Sequence, residues 1–247
     1  METFRLAVCC AALLTSLAAP AQSLHFTTES SAPSAFMKDG KLTGYATDKL
    51  REALRRAGLQ ADFELLPWVE AIGRARDKRD TCVYPTTRTP ERERQFRWVG
   101  PIAHTDWWLY GVANRDYRVS TLRDARMLRI GAYTGDVRGE FLKSRGFLVD
   151  FAADDAVNPK RLVTNRIDLW VTSAMAAQAY LEQLGLADEV QPILKFNSAL
   201  LYLACHPNTP ANVLDKLDAA VDAMERDGFS RRVEDAYGIE PRRRPGR

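Results

Sequence analysis

The sequence predicts an α/β protein of two lobes, each a mostly parallel sheet flanked by helices, joined by two crossing segments. Three observations lead there. Short apolar runs of strand length alternate with stretches whose apolar residues recur three and four positions apart, the pattern of β-α-β units. The alternation comes as two series, over residues 24–84 and 127–196. Longer apolar strands near 107–114 and 199–205 suit segments that pass between lobes.

Residues 1–21 read as a secretory leader, with Arg5 in the positive region, Leu6–Leu17 as the apolar run and Ala19-Pro20-Ala21 as the cleavage site. Cys9 and Cys10 precede most of that run, which excludes a lipoprotein reading. The run is too short for a stable membrane span, so a soluble, exported protein cleaved near Ala21 is expected. Net charge is +3, and without the tail arginines 242, 243, 244 and 247 it falls to −1. A nearly neutral body gives no reason to invoke nucleic acid. A monomer without cofactor is expected. The division expected is a first lobe over 22–110 and 201–240, a second over 111–200, and a disordered basic tail over 241–247.

In the first series, Leu24–Thr28 is a strand and Lys38-Asp39-Gly40-Lys41 a turn. A helix opens after Gly44, with Leu50, Ala53, Leu54 and Ala57 inward, and Gly58 ends it. Phe63–Leu66 returns as a strand. Pro67 then starts a helix over Trp68–Arg79 with Val69, Ile72 and Ala75 inward, and Cys82-Val83-Tyr84 is a strand stopped by Pro85. Trp107–Asn114 is the first long strand. In the second series Met127–Ala132, Leu148–Ala152, Ile167–Val171 and Val190–Phe196 are strands. Helices over Asp136–Arg145, Pro159–Thr164 and Ser173–Leu184 lie between them. Ala199–Cys205 is the second long strand. The strongest helix follows Thr209-Pro210, with Val213, Leu214, Leu217, Ala220, Val221 and Met224 inward, and Phe229–Tyr237 closes the chain.

Export leaves Cys82 and Cys205 in an oxidising compartment, where a disulfide is possible. Both lie in apolar strands, and two buried free thiols are the expected state. There is no metal spacing, nucleophile elbow or phosphate loop.

The chemistry concentrates between Asp80 and Pro101, where an apolar strand runs into Thr87-Arg88-Thr89-Pro90-Glu91-Arg92 and an aromatic segment closes on Gly100-Pro101. Thr89 and Pro90 are suited to start a helical turn whose free N–H groups face an anion. Arg92 carries a planar fork suited to a carboxylate. This order, with Gly40-Lys41-Leu42, Gly44-Tyr45 and Asp48 upstream, resembles the family 3 extracytoplasmic solute-binding proteins, receptors of polar amino-acid ABC importers. The resemblance covers nearly all of the mature chain and implies the type II periplasmic-binding fold. It makes Arg92 the grip on a ligand's α-carboxylate, and Thr87 with the Pro85 carbonyl its amino-group partners. Trp68 is either a ring on the ligand or a core residue. Tyr45 and Asp48 are expected to be structural.

Glu29, after the first strand, and Tyr133, Gly135 and the amides of Asp136 and Val137 are expected to complete the cleft. Two departures stand out. Where the resemblance implies an aspartate for a ligand's ammonium group, the chain has Ser173. The expected anion turn reads Gly135-Asp136-Val137, which puts a carboxylate beside the anion. Either Glu29 supplies the missing negative charge, or the ligand is not a standard α-amino acid, which is the expectation preferred. Trp107 and Trp108 point to opposite faces of a strand, so at most one reaches a cleft. Of the arginines beside Arg92, Arg88 is placed to aid an acidic ligand. The expected function is a solute receptor for an ABC permease. An exported dehydratase-like enzyme with Glu29 or Asp136 as acid–base group, or an orphan sensor, are the alternatives.

Overall fold

The computed structural model describes residues 23–239, so the expected leader and basic tail lie outside the described residues. Strand β1 (Ser23–Thr28) is followed by a hairpin of β2 (Phe36–Lys38) and β3 (Lys41–Thr43). Its two-residue turn, Asp39-Gly40, holds both residues at positive φ (49° and 73°), as the twist of a tight hairpin requires. Helix α1 (Tyr45–Ala57), β4 (Gln60–Leu65), α2 (Trp68–Asp77), β5 (Thr81–Thr87) and β6 (Arg97–Val112) come next. Then follow β7 (Arg129–Tyr133), α3 (Val137–Ser144), β8 (Leu148–Ala152), α4 (Asn158–Val163), β9 (Leu169–Thr172), α5 (Ala174–Leu184), β10 (Val190–Cys205), α6 (Ala211–Arg226) and α7 (Phe229–Ala236).

The strands form one eight-stranded sheet in the order β4-β1-β5-β10-β6-β9-β7-β8. Both ends are parallel, β4-β1-β5 and β9-β7-β8, as βαβ crossovers dictate. Between them β10 and β6 run antiparallel along their whole length, from Val190 opposite Val112 to Cys205 opposite Arg97. They are the two crossing segments. β10 is a single strand where two were expected, because its ladder with β6 continues through Asn197 and Ser198. Register shifts at Pro192/Leu194, Lys195/Asn197 and Leu201/Leu203 bend it on the way. β5 likewise does not stop at Pro85: it runs on to Thr87, and Pro85 falls where the ladder with β10 shifts register, so its missing N–H costs no bond.

Each end of the sheet has its own apolar core. Leu24, Phe26, Leu50, Leu54, Leu214 and Leu217 pack α1 and α6 against one end. Leu109, Ile130, Leu142, Leu169 and Val171 fill the other. The inward face of α1 is the one expected, and a left-handed Gly58 caps it. In α2 the inward face is displaced by one residue. Trp68, Ala71 and Ala75 are buried while Val69 is 56% exposed, because the indole of Trp68 takes the cavity-side position. Asp48 is structural, as expected: its carboxylate accepts from the Tyr237 hydroxyl at 2.6 Å, tying α1 to the end of α7. Lys49, almost fully buried, is satisfied by Glu234 at 2.6 Å and the Ile102 carbonyl at 3.0 Å.

Cys82 and Cys205 are joined as a disulfide, which overturns the expectation of free thiols. The reason is register: they are directly opposed in the β5–β10 pair, and strand character alone did not reveal that pairing. The bridge spans 123 residues of sequence. Replacing both cysteines by alanine is expected to lower unfolding free energy by about 2–5 kcal/mol in urea titration, since a long loop is freed in the unfolded chain. An unchanged midpoint would contradict that.

Candidate functional site

A cavity of about 90 Å³ lies where the ends of β1 and β5 face the β7–α3 and β9–α5 turns. Every site residue expected from the sequence lines it except Gly135, which joins through its carbonyl. That carbonyl accepts two bonds from the opposite side of the cleft, from Trp68 Nε1 at 2.9 Å and Arg92 Nη2 at 3.2 Å. Only glycine fits there: φ is 81°, and a Cβ would meet the indole Cδ1 at 3.0 Å. Arg92 also donates to the Thr87 carbonyl at 3.4 Å and sits 5.6 Å above the Trp68 ring. Trp68 is thus both a core residue, packed with Ala71, Ala75 and Phe96, and a wall of the cavity. Burial weakens the hold of Arg92 on its proton, and among the described residues it has no ion-pair partner. Residues 90–95 form turns, with Arg92 N donating to Thr89 O and Gln95 N to Arg92 O, so the expected helical anion site at Pro90 is not built.

Glu29 and Tyr133 meet across the cleft, the phenol donating to Oε1 at 2.8 Å. Burial pushes the Glu29 carboxyl up to about 8, against the smaller opposing effects of that bond and of Arg138. Burial also raises the Tyr133 phenol well above its ordinary value.

Both departures in the sequence have structural explanations. Asp136 is the N-cap of α3: its Oδ1 accepts from the Arg138 amide at 3.0 Å and from Arg138 Nε at 2.8 Å. Its charge is therefore answered by Arg138, and the first donors of α3 are partly taken by its own cap. Ser173 caps α5, accepting from the Ala176 amide at 3.1 Å, while lining the cavity. Sequence reasoning missed two groups. Arg138 lines the cavity; burial opposes its charge, but Asp136 and Asp155 outweigh burial and hold it firmly protonated. Asp155, buried beneath, accepts from Trp170 Nε1 at 2.7 Å and Asn158 Nδ2 at 3.0 Å, and burial lifts its carboxyl to about 6. The Asp136-x-Arg138 spacing was a readable capping pair; Asp155 left no sequence signal. Of the tandem tryptophans Trp107 reaches the cavity, while Trp108 packs on the other face with Trp170 and Leu162. Arg88 is engaged by Glu93 at 2.7 Å and lies outside this cavity. Among the described residues no cluster of metal-ligating side chains occurs, and no helix is long and apolar enough to cross a membrane.

Residues 24–240 match the model of the bacterial extracellular solute-binding proteins, family 3. The chain belongs to that family. It is 22% identical over 226 residues to the probable amino-acid-binding protein YxeM of Bacillus subtilis (strain 168), covering 85% of this chain and 81% of that one. An ancestral arginine-binding protein bound to arginine superposes with a TM-score of 0.77 at 21% identity, over 87% of this chain and 97% of that structure. A histidine kinase sensor domain with similarity to periplasmic binding proteins gives 0.82 at 16% identity, over 89% and 98%. The fold is the type II periplasmic-binding fold.

The Glu29 shift has a signed consequence. Between its ordinary value of 4.5 and about 8, the folded protein holds a proton that the unfolded chain has lost. Stability from this group is full below the lower value, falls as pH rises through the window, and levels off above it. Glu29 keeps part of its surface open to the cleft, so solvent screening reduces the size of the effect. Wild type and Glu29→Gln are expected to show a melting-temperature difference that shifts steadily in favour of the variant from pH 4.5 to pH 8.5. A difference independent of pH would contradict the assignment.

Proposed function

We propose that the protein is a periplasmic receptor that closes on a small carboxylate-bearing solute, an amino acid or related organic acid. One observation carries this reading: Arg92 is a partly buried guanidinium that donates only to backbone carbonyls and lacks a carboxylate partner among the described residues. An enclosed charge without a counter-ion is costly, and a ligand carboxylate would supply one in the bidentate geometry that arginine favours. Membership of the family and the amino-acid-binding relative support the same ligand class. With Ser173 used as a cap and Asp136 tied to Arg138 through Oδ1, Glu29 is the cavity carboxylate without an ion pair that would meet a ligand's ammonium group, and the unpartnered Asp136 Oδ2 is a second acceptor. Thr87 and the Pro85 carbonyl stand beside it as further acceptors.

In this reading residues 22–110 and 201–240 form one lobe and 111–200 the other. They hinge within β6 and β10, and closure brings Gly135 onto Trp68 and Arg92. The leader over 1–21 delivers the chain to the periplasm, where it hands its solute, as a monomer, to an ABC permease. Sensing without transport is the alternative, and the likeness to a kinase sensor domain keeps it open. Catalysis loses support from Asp136, whose carboxylate caps α3 and pairs with Arg138.

Arg92→Ala is expected to fold normally and to weaken solute binding by at least about 30-fold, because truncating one side of an enclosed charge pair costs 2 kcal/mol or more. Titration calorimetry with the solute found by a thermal-shift screen measures it. Undiminished affinity in the folded variant would refute the site.

A further inference from the structure

Two carboxylates line the cavity of about 90 Å³, Glu29 from the end of β1 and Asp136 from the start of α3. Only one of them has a charged partner. Asp136 Oδ1 accepts from the Arg138 amide and Nε, while its Oδ2 is buried with no hydrogen-bond partner. Glu29 has the Tyr133 hydroxyl on Oε1, which reaches it from the opposite end of the sheet, and no ion pair among the described residues. Two like charges facing one enclosed space are costly unless a cation stands beside them. Without such a cation Glu29 is a neutral acid, able both to donate and to accept a hydrogen bond.

The groups around Glu29 leave it as the one that exchanges a proton near neutral pH. Burial raises the phenols of Tyr133, on β7, and Tyr180, on α5, away from that range. On α3, Asp136 is tied to Arg138, which stays firmly protonated. Asp155, in the turn before α4, is lifted only to about 6. Arg92, on the loop after β5, faces the same cavity as the grip for a carboxylate. In so small a space a solute held by Arg92 presents its next polar group to Glu29, which keeps part of its surface open to the cleft.

We propose that Glu29 selects ligands by exchanging a proton. An α-amino acid binds with its ammonium group on the ionised Glu29 and releases the Glu29 proton to solvent; the matching 2-hydroxy acid binds with its hydroxyl on the neutral carboxyl and releases none. This rests on the reading of Arg92 and Glu29 given above. The preference of the receptor between the two classes then moves with pH: amino acids gain affinity as Glu29 loses its proton more easily, and hydroxy acids do not.

The test is calorimetry of the twenty L-amino acids and, for each that binds, the 2-hydroxy acid with the same side chain. Titration at pH 7 in two buffers of different ionisation enthalpy counts the protons released. Because the Glu29 carboxyl stands at about 8 in the free protein, amino-acid binding is expected to release nearly one proton, and affinity to rise about fivefold from pH 7 to pH 8. The hydroxy acid is expected to release close to none and to gain nothing over that interval. Glu29→Gln is expected to abolish the release and the pH slope for amino acids. Should that variant not fold, the wild-type proton counts and pH series decide alone. Amino-acid binding without proton release, equal release by the hydroxy acid, or release that persists in a folded Glu29→Gln protein would each overturn the proposal, as would binding of no amino acid. Binding lost in Arg92→Ala but without proton release in wild type would overturn the Glu29 exchange and leave the Arg92 grip standing. Release retained together with full affinity in Arg92→Ala would support the exchange and refute the grip.

Discussion

The Gly135 carbonyl is one place where the two ends of the sheet touch, beside the Tyr133–Glu29 bond, and much of the cleft follows from it. It accepts the indole N–H of Trp68 and a guanidinium N–H of Arg92, both from the far side. Two donors converging on one backbone oxygen require close approach, and that approach requires a residue without Cβ at positive φ. The same contact holds the Trp68 ring under Arg92, which fixes the direction of the guanidinium. A backbone carbonyl satisfies hydrogen bonds but not charge. The positive charge of Arg92 is therefore left for something that enters the cleft.

Charge elsewhere in the cleft is arranged differently. Asp136 and Arg138 answer each other within one turn of α3, and Asp155 is satisfied by Trp170 and Asn158. Those groups are largely answered within the chain, although Asp136 Oδ2 is buried with no hydrogen-bond partner. Glu29 lies between the two cases. It has one hydrogen bond, from Tyr133, and burial that favours its neutral form. A ligand ammonium group would reverse that preference, because a nearby positive charge stabilises the carboxylate. Arg92 and Glu29 thus form a polar pair of anchors that a zwitterion or a simple acid would use in different ways.

Much of this was legible in the sequence. Apolar periodicity placed α1 and α6 on their correct faces, and the Thr-Pro-Glu-Arg run pointed to Arg92. What was not legible depended on pairing. The Cys82–Cys205 bridge and the single long β10 are consequences of register between strands far apart in sequence, which local pattern does not carry. Val69 was misplaced because an apolar residue beside Trp68 fits a helical stripe equally well until the tryptophan's position is known. Ser173 and Asp136 looked like altered ligand positions, since a cap and a ligand contact draw on the same residue types at helix starts. Asp155 sits in a short turn with no periodicity around it.

The most direct test of the central claim is a crystal structure of the protein with its solute bound. If Arg92 is the carboxylate grip, both ligand oxygens will lie about 2.7–2.9 Å from its guanidinium nitrogens, and the Gly135 carbonyl will have given up its bond to Arg92. A bound solute whose carboxylate lies elsewhere, with Arg92 still donating to Gly135, would contradict the account.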